Sequence, residues 1–313
     1  MTETTTVAAP GPVPGPGARP LPAARRRPSG RLRAAAPYAG VAPFAVYVVL
    51  GLVIPMIEVI RGAFQAPASG ALTTSNVSTA VHGAYLSGFE NSLLLSLICS
   101  VIPGILGFLI AYAIFTAKRA SLLRQVVITM SGVFANFGGV PLAFLFVSSL
   151  GSSGLLTGWL SALGLNIYNM GFTLYTMSGV AVVYMYFQVP LMVLVILPAL
   201  EGLRPSWREA AENLGARSWQ YWRHVGGPVL APSFLGCVLL LFGSAMSAYA
   251  TAEALTSGTI ALTSIQIGSF LNGNVLAGQE NVGKALGVGM VVIIAVVMVL
   301  YALLQRRAAK WLR

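Results

Sequence analysis

Apolar runs of about twenty residues recur along this chain, and no other feature restricts its fold so sharply. A run of that length crosses the hydrocarbon of a bilayer as one helix. The expected fold is therefore all-α: a polytopic membrane protein with about six transmembrane helices, near 38–60, 92–115, 125–150, 172–200, 229–256 and 284–305. Several spans carry proline (Pro43, Pro55, Pro103, Pro141, Pro190, Pro198, Pro232). Membrane helices tolerate it where neighbours satisfy the freed carbonyls. In span 3, Asn136 and the Gly138–Gly139 pair should loosen the helix, with Gly139 and Pro141 as a kink.

Only 9% of the 313 residues are charged, against about 25% in a soluble domain. The net charge of +11 raises nucleic acid as a partner, but the distribution of charge argues for a lipid bilayer instead. Basic residues gather in a tail (Arg19 to Arg33), in a loop (Lys118, Arg119, Arg124), in a segment around residue 210, and at the C-terminus (Arg306, Arg307, Lys310, Arg313). Arg61 and Lys284 alone fall on the other side. The positive-inside rule then places both termini in the cytoplasm of an inner or plasma membrane. Residues 1–36, rich in Pro, Ala, Gly and Arg, read as a disordered basic cytoplasmic tail, and 37–313 as the transmembrane domain. A signal peptide is not expected, because the charged part is too long and no small-residue cleavage site follows a short apolar core. A twin-arginine leader is not expected, because the apolar stretch after Arg25-Arg26 is a full span.

Chemistry at a metal or nucleotide has little to work with. Cys99 and Cys237 lie inside apolar runs, His82 and His224 are far apart, and there is no Asp. A metal site is not expected, and a membrane-embedded enzyme would need clustered His, Asp or Glu. Gly278 to Ala285, GQENVGKA, approaches a phosphate-binding loop, but Ala285 stands where a magnesium-holding hydroxyl belongs and no strand precedes it. No nucleotide site and no cofactor are expected on this chain.

One polar island interrupts the apolar pattern, residues 204–228, RPSWREAAENLGARSWQYWRHVGGP. Ser206 and Glu209 have the spacing of a capping box, and Pro205 bars an earlier helical start. Trp207, Ala210, Ala211 and Leu214 form one apolar stripe, with Arg208, Glu209 and Glu212 on the other side. Gly215 suits the left-handed residue that closes a helix. A second segment, Ser218 to Val225, should stop before Pro228. Such a helix lies on the membrane surface or serves as a docking element.

The island resembles the EAA loop of the membrane permeases of type I binding-protein-dependent ABC importers. Glu209-Ala210-Ala211, Gly215, Val225 and Pro228 stand at the family spacing; Val225 replaces Ile and Gly227 replaces Leu. The likeness extends loosely over about residues 90–305. It implies a cytoplasmic coupling helix, with Glu209, Ala210, Ala211 and Gly215, flanked by Arg208 and Glu212, against a separate ATPase. It also implies two ATPase subunits carrying ATP and Mg, a second permease subunit, identical or related, and an extracytoplasmic solute-binding protein.

For the solute path the sequence offers Glu253, Tyr249, Tyr184, Gln188 and Asn136. An ionisable group in a span is costly, so Glu253 should face a cavity or a partner, and its charge favours a cation. Tyr184, Tyr186 and Gln188 suit packing as well as a path. The stretch FANFGGVPLAFLFVSSLGSSGLL is more similar to permeases of the polyamine, iron(III), thiamine and phosphonate group than to those of the sugar group. The resulting expectation is an importer permease for a polyamine or similar small polar solute, with a sugar importer as the alternative. A stand-alone secondary transporter would need midplane ionisable residues and an inverted repeat.

Overall fold

The computed structural model describes residues 41–67, 69–117, 121–273 and 279–311. The tail 1–36, Lys118, Arg119, Gly278 and Arg313 lie outside the described residues. The chain divides into two compact units, Met1–Ile54 and Pro55–Arg313. Helix α1 (Val41–Ala63) begins in the first, where Val49–Val53 form a π turn. The second holds α2 (Ser75–Ala80), α3 (Gly83–Thr116), α4 (Ser121–Asn136), α5 (Gly139–Leu150), α6 (Leu155–Ala162), α7 (Met177–Glu201), α8 (Pro205–Asn213), α9 (Ser218–Ser247), α10 (Ala250–Thr256), α11 (Thr263–Leu271) and α12 (Val282–Trp311).

Among the described residues, six stretches are long and apolar enough to cross a membrane: Val41–Ala63, Gly83–Thr116, Gly139–Ala162, Met177–Glu201, Ser218–Ser247 and Val282–Leu303. The fold is an all-α, multi-pass membrane architecture, and the same residues show no β-structure beyond an isolated antiparallel bridge between Gln65 and Leu72. Helices α3 and α7 form the central crossing, α9 packs on both, α4 lies along α7, and α5 meets α10. At the crossing, Gly107 lets α7 approach until a β-carbon would strike the Met192 side chain and the Val189 carbonyl. Small residues at helix contacts serve this purpose in membranes, where packing replaces the hydrophobic effect as the driving force.

Two expected spans differ from the reading of the sequence. Residues 125–150 do not form one helix. The chain breaks at Phe137–Gly138, and Gly139 takes φ +74°, a left-handed conformation open to glycine. Pro141 then sits in the first turn of α5, where its missing N–H costs nothing. Residues 229–256 are broken too, at Ala248–Tyr249. In the other direction, the segment from Ser218 does not stop before Pro228 but runs unbroken to Ser247. A π turn at Trp222–Gly226 widens the helix just ahead of Pro228, whose ring would otherwise collide with a carbonyl one turn back.

The polar loops are also more ordered than their composition implies. In the 61–91 stretch Asn76 is buried, and its amide donates to the carbonyls of Ala63 (3.2 Å) and Gln65 (2.8 Å). Asn281 reaches the Gln65 carbonyl from α12's approach at 2.8 Å. The Gly283–Lys284 part of the GQENVGKA stretch opens α12, with the Lys284 stem lying over Gly62.

Substituting Gly107→Leu should overpack the α3–α7 crossing and cost about 1–3 kcal/mol or more. A clear fall in the melting temperature of the detergent-solubilised chain is expected; an unchanged melt would mean that the crossing is not close-packed.

Candidate functional site

Helix α8, the core of the island, begins at Pro205 with Arg204 as an uncapped N-cap. Ser206 is therefore inside the helix and not at its cap, and the expected Ser206–Glu209 capping box does not form. Proline at the first helical position fixes the start instead. The end is built as a Schellman motif. Gly215 has φ +79°, its N–H donates to Glu212 O (2.9 Å), and Ala216 N–H donates to Ala211 O (3.0 Å). Arg208 Nε donates to Glu212 Oε1 at 2.9 Å, which raises the guanidinium further above its ordinary range. The Arg204 guanidinium lies 6.0 Å from the Trp207 ring centroid.

None of α8's residues is buried. Trp207, Ala210, Ala211 and Leu214 line an apolar groove of about 370 Å³ with Val225 and Val229, and Leu214 is 88% exposed. On the opposite side Glu209 is exposed and makes no side-chain hydrogen bond or ion pair with any described residue. The island's two roots behave differently. Leu203, before α8, and Leu230, after the π turn, are buried in one cluster with Ile114, Ile196 and Leu200. Tyr221 is buried, and Trp222 packs edge-on against Tyr112 of α3 at 5.3 Å. A β-carbon on Gly227 would strike the Trp222 carbonyl oxygen. The π turn thus explains why this position holds glycine where the family pattern has leucine.

Deeper in the bundle, the two breaks meet. Gly139 N–H donates to Thr251 Oγ1 at 2.9 Å, and the Thr251 hydroxyl donates back to Gly139 O at 3.3 Å. Tyr184 OH donates to Ala248 O (2.5 Å) and Gln188 Nε2 to Leu241 O (2.9 Å), so α7 satisfies carbonyls at and before the α9 break. Tyr186 fits among Phe134, Phe137 and Phe146, bridging α4 and α5. Beside the breaks lies a cavity of about 450 Å³ lined by Asn136, Ser244, Ser247, Tyr249 and Thr251. Asn136 and Ser247 are exposed at its rim.

Residues 104–313 match the family model described as the binding-protein-dependent transport system inner membrane component. The chain belongs to that family. It is 30% identical over 160 residues to the sulfate transport system permease protein CysT of Escherichia coli (strain K12), a match covering 50% of this chain and 54% of that protein. It is 30% identical over 174 residues to the thiamine transport system permease protein ThiP of the same organism, covering 54% of this chain and 30% of that one. The match thus spans about half the length of the first relative and less than a third of the second. A solved bacterial alginate ABC transporter, in complex with an alginate pentasaccharide-bound periplasmic protein, has a chain of the same fold. The TM-score is 0.71 at 20% identity, over 89% of this chain and 96% of that chain.

In this family member the sequence-named coupling residues, Arg208 to Glu212 and Gly215, do share one exposed helix and its closing turn. The sequence-named pathway residues separate into three groups. Asn136 and Tyr249 line the cavity. Tyr184 and Gln188 are fully buried and hold its wall through hydrogen bonds. Glu253 sits past the break on α10, outside the cavity, with Oε2 buried and without a partner. Ser244 was not legible as a lining residue, because only the tertiary structure brings it and Asn136 to one cavity.

Thr251→Val keeps the shape of the side chain but removes the clasp between the two breaks. It should cost about 1–3 kcal/mol through the orphaned Gly139 groups. A lowered melting temperature for Thr251→Val, with Thr251→Ser close to the parent, checks the clasp; equal melts for all three would exclude it.

Proposed function

We propose that this chain is the permease subunit of an ATP-driven solute importer and that its island docks on a separate ATPase. The observation that carries this reading is the contrast within the island. Helix α8 folds with no buried residue of its own, yet both its roots are set in the core. A helix with an unpartnered apolar groove and an unpaired Glu209 is built to be completed by another chain. The chain itself does no chemistry: ATP and Mg belong to two ATPase subunits. The island and both termini face the cytoplasm, a reading supported by the bias of basic residues towards that side.

The cavity at the paired breaks opens at its rim, which fits a second permease subunit, identical or related, closing the other half of the path. Broken spans beside a polar cavity are a recurrent way to expose backbone groups to a solute inside a membrane. A solute-binding protein on the opposite face is supported by the family description and by the alginate transporter's complex with its periplasmic protein. ATP binding would close the ATPase dimer, move α8 as a lever through Trp222 and Leu203, and open the path outward; hydrolysis would reverse it.

For the solute we infer a small polar molecule. A polyamine is the specific reading, supported by the buried, unpaired Glu253 Oε2 one turn beyond the cavity. A sugar is the second reading, supported by the uncharged hydroxyl and amide lining of the cavity itself.

Glu209→Ala should leave folding unchanged and reduce recovery of the ATPase with the permease on the order of tenfold or more. Pull-down from native membranes with a melting control checks this; full recovery and normal uptake would sink the docking role. Solute-stimulated ATPase activity in lipid should respond to spermidine and lose that response in Glu253→Gln. Stimulation by a neutral sugar that survives in Glu253→Gln would select the second reading.

A further inference from the structure

At the end of the bundle away from the island, the chain turns through Gly151-Ser152-Ser153-Gly154 into α6. Helix α6 keeps its two kinds of residue on opposite faces. Leu155, Leu156 and Trp159, followed by Leu163, are exposed along one side. Thr157, Gly158 and Ser161 lie along the other. An exposed apolar face bearing a tryptophan suits a helix lying in the plane of the membrane interface. Its polar face then points away from lipid.

Against that polar face is a cavity of about 350 Å³, closed on its far side by Asn166, Tyr168 and Asn169 and lined by no charged side chain. Thr157 is only 6% exposed, yet its Oγ1 is buried and has no hydrogen-bond partner. Gly154 is the N-cap and offers no side-chain acceptor, so the first-turn N–H groups of α6 lack partners within the helix. Two of the nearby acceptors are already engaged. Tyr168 OH donates to Leu150 O (2.9 Å), and Asn166 Oδ1 accepts from Asn169 N–H (3.2 Å). The positive end of the helix presents its first-turn backbone N–H groups, with the hydroxyls of Ser152, Ser153 and Thr157 beside them able to donate. Such a set is matched by the oxygens of an anion.

We propose that this cavity binds one oxyanion group, either a free tetrahedral anion or the carboxylate of an acidic side chain presented by another protein. Its place on the outer face rests on the orientation proposed above; its chemistry does not, and it is separate from the solute cavity at the breaks. Binding places an acceptor against the orphaned Thr157 hydroxyl and charge at the helix N-terminus, and needs no basic residue.

The test uses the full chain, purified with any subunits that accompany it, in lipid nanodiscs. The readout is the melting temperature against sodium sulfate, N-acetyl-aspartate amide and sucrose, with sodium chloride matching ionic strength. A saturable rise with sulfate, weakened about tenfold or more in Thr157→Val and retained in Thr157→Ser, is expected for a free anion. The same pattern with the aspartate compound, at lower concentration than sulfate, assigns the side-chain source. Ser161→Ala, at the exposed rim, should show a smaller weakening and serves if Thr157→Val does not fold. No response to either anion, an equal response to sucrose, or an undiminished response in both variants overturns the proposal. So does a parent chain that docks its ATPase but shows no anion effect: that result would leave the permease reading standing and remove this one alone.

Discussion

Every backbone N–H and C=O inside a membrane must find a partner within the protein, because hydrocarbon offers none. An unbroken helix meets that demand alone. This chain breaks two of its expected spans, at Phe137–Gly138 and at Ala248–Tyr249, and several buried polar side chains bond to backbone at or near those breaks. Thr251 closes one break onto the other through Gly139. Tyr184 and Gln188, fully buried on α7, take the carbonyls of Ala248 and Leu241. The central crossing of α3 and α7, made close by Gly107, puts α7 where these side chains can reach. The cavity at the breaks lies beside backbone that has left the helix and been re-satisfied nearby, and its lining mixes Asn136, Ser244, Ser247 and Thr251 with Phe187 and alanines.

The island depends on the opposite arrangement. Its helix is short, closed by proline at one end and by a glycine-based Schellman turn at the other, and it buries nothing. Exposed ion pairs such as Arg208–Glu212 contribute little to stability. What holds α8 in place is the embedding of its roots, by Leu203 on one side and by Tyr221, Trp222 and Leu230 on the other. Helix α9 continues from the island into the apolar span without interruption. The π turn before Pro228 lies within that continuous helix, and a β-carbon on Gly227 would strike the Trp222 carbonyl there.

Much of this was readable from the residues. Apolar run length indicated the helical, multi-pass class; Glu209-Ala210-Ala211 and Gly215 at fixed spacing marked the exposed helix of the island; Gly139 close to Pro141 marked a disturbance in span 3. These features are local, set by hydropathy, by φ preference and by the lack of a proline N–H, so they survive without knowledge of neighbours. Where local rules were pressed further they failed. Ser206 and Glu209 have capping-box spacing, but Pro205 takes the helix start one residue earlier. Pro228 looked like a stop, yet widening the helix by one residue per turn admits it. Glu253 looked like a wall residue of a continuous span, yet it follows a break.

The sequence by itself determined the number and rough length of the spans, the bias of charge to one side, and the place of the island's exposed helix, because each depends on residues adjacent in the chain. Only the tertiary structure decided which polar residues face a cavity and which support its wall. That distinction depends on whether a hydroxyl or amide meets a backbone group across 53 to 112 positions of sequence, as Gln188 meets the Leu241 carbonyl and Thr251 the Gly139 N–H. Hydropathy and periodicity hold no record of such pairs, since a buried glutamine is spelled the same whether its partner is solute or backbone.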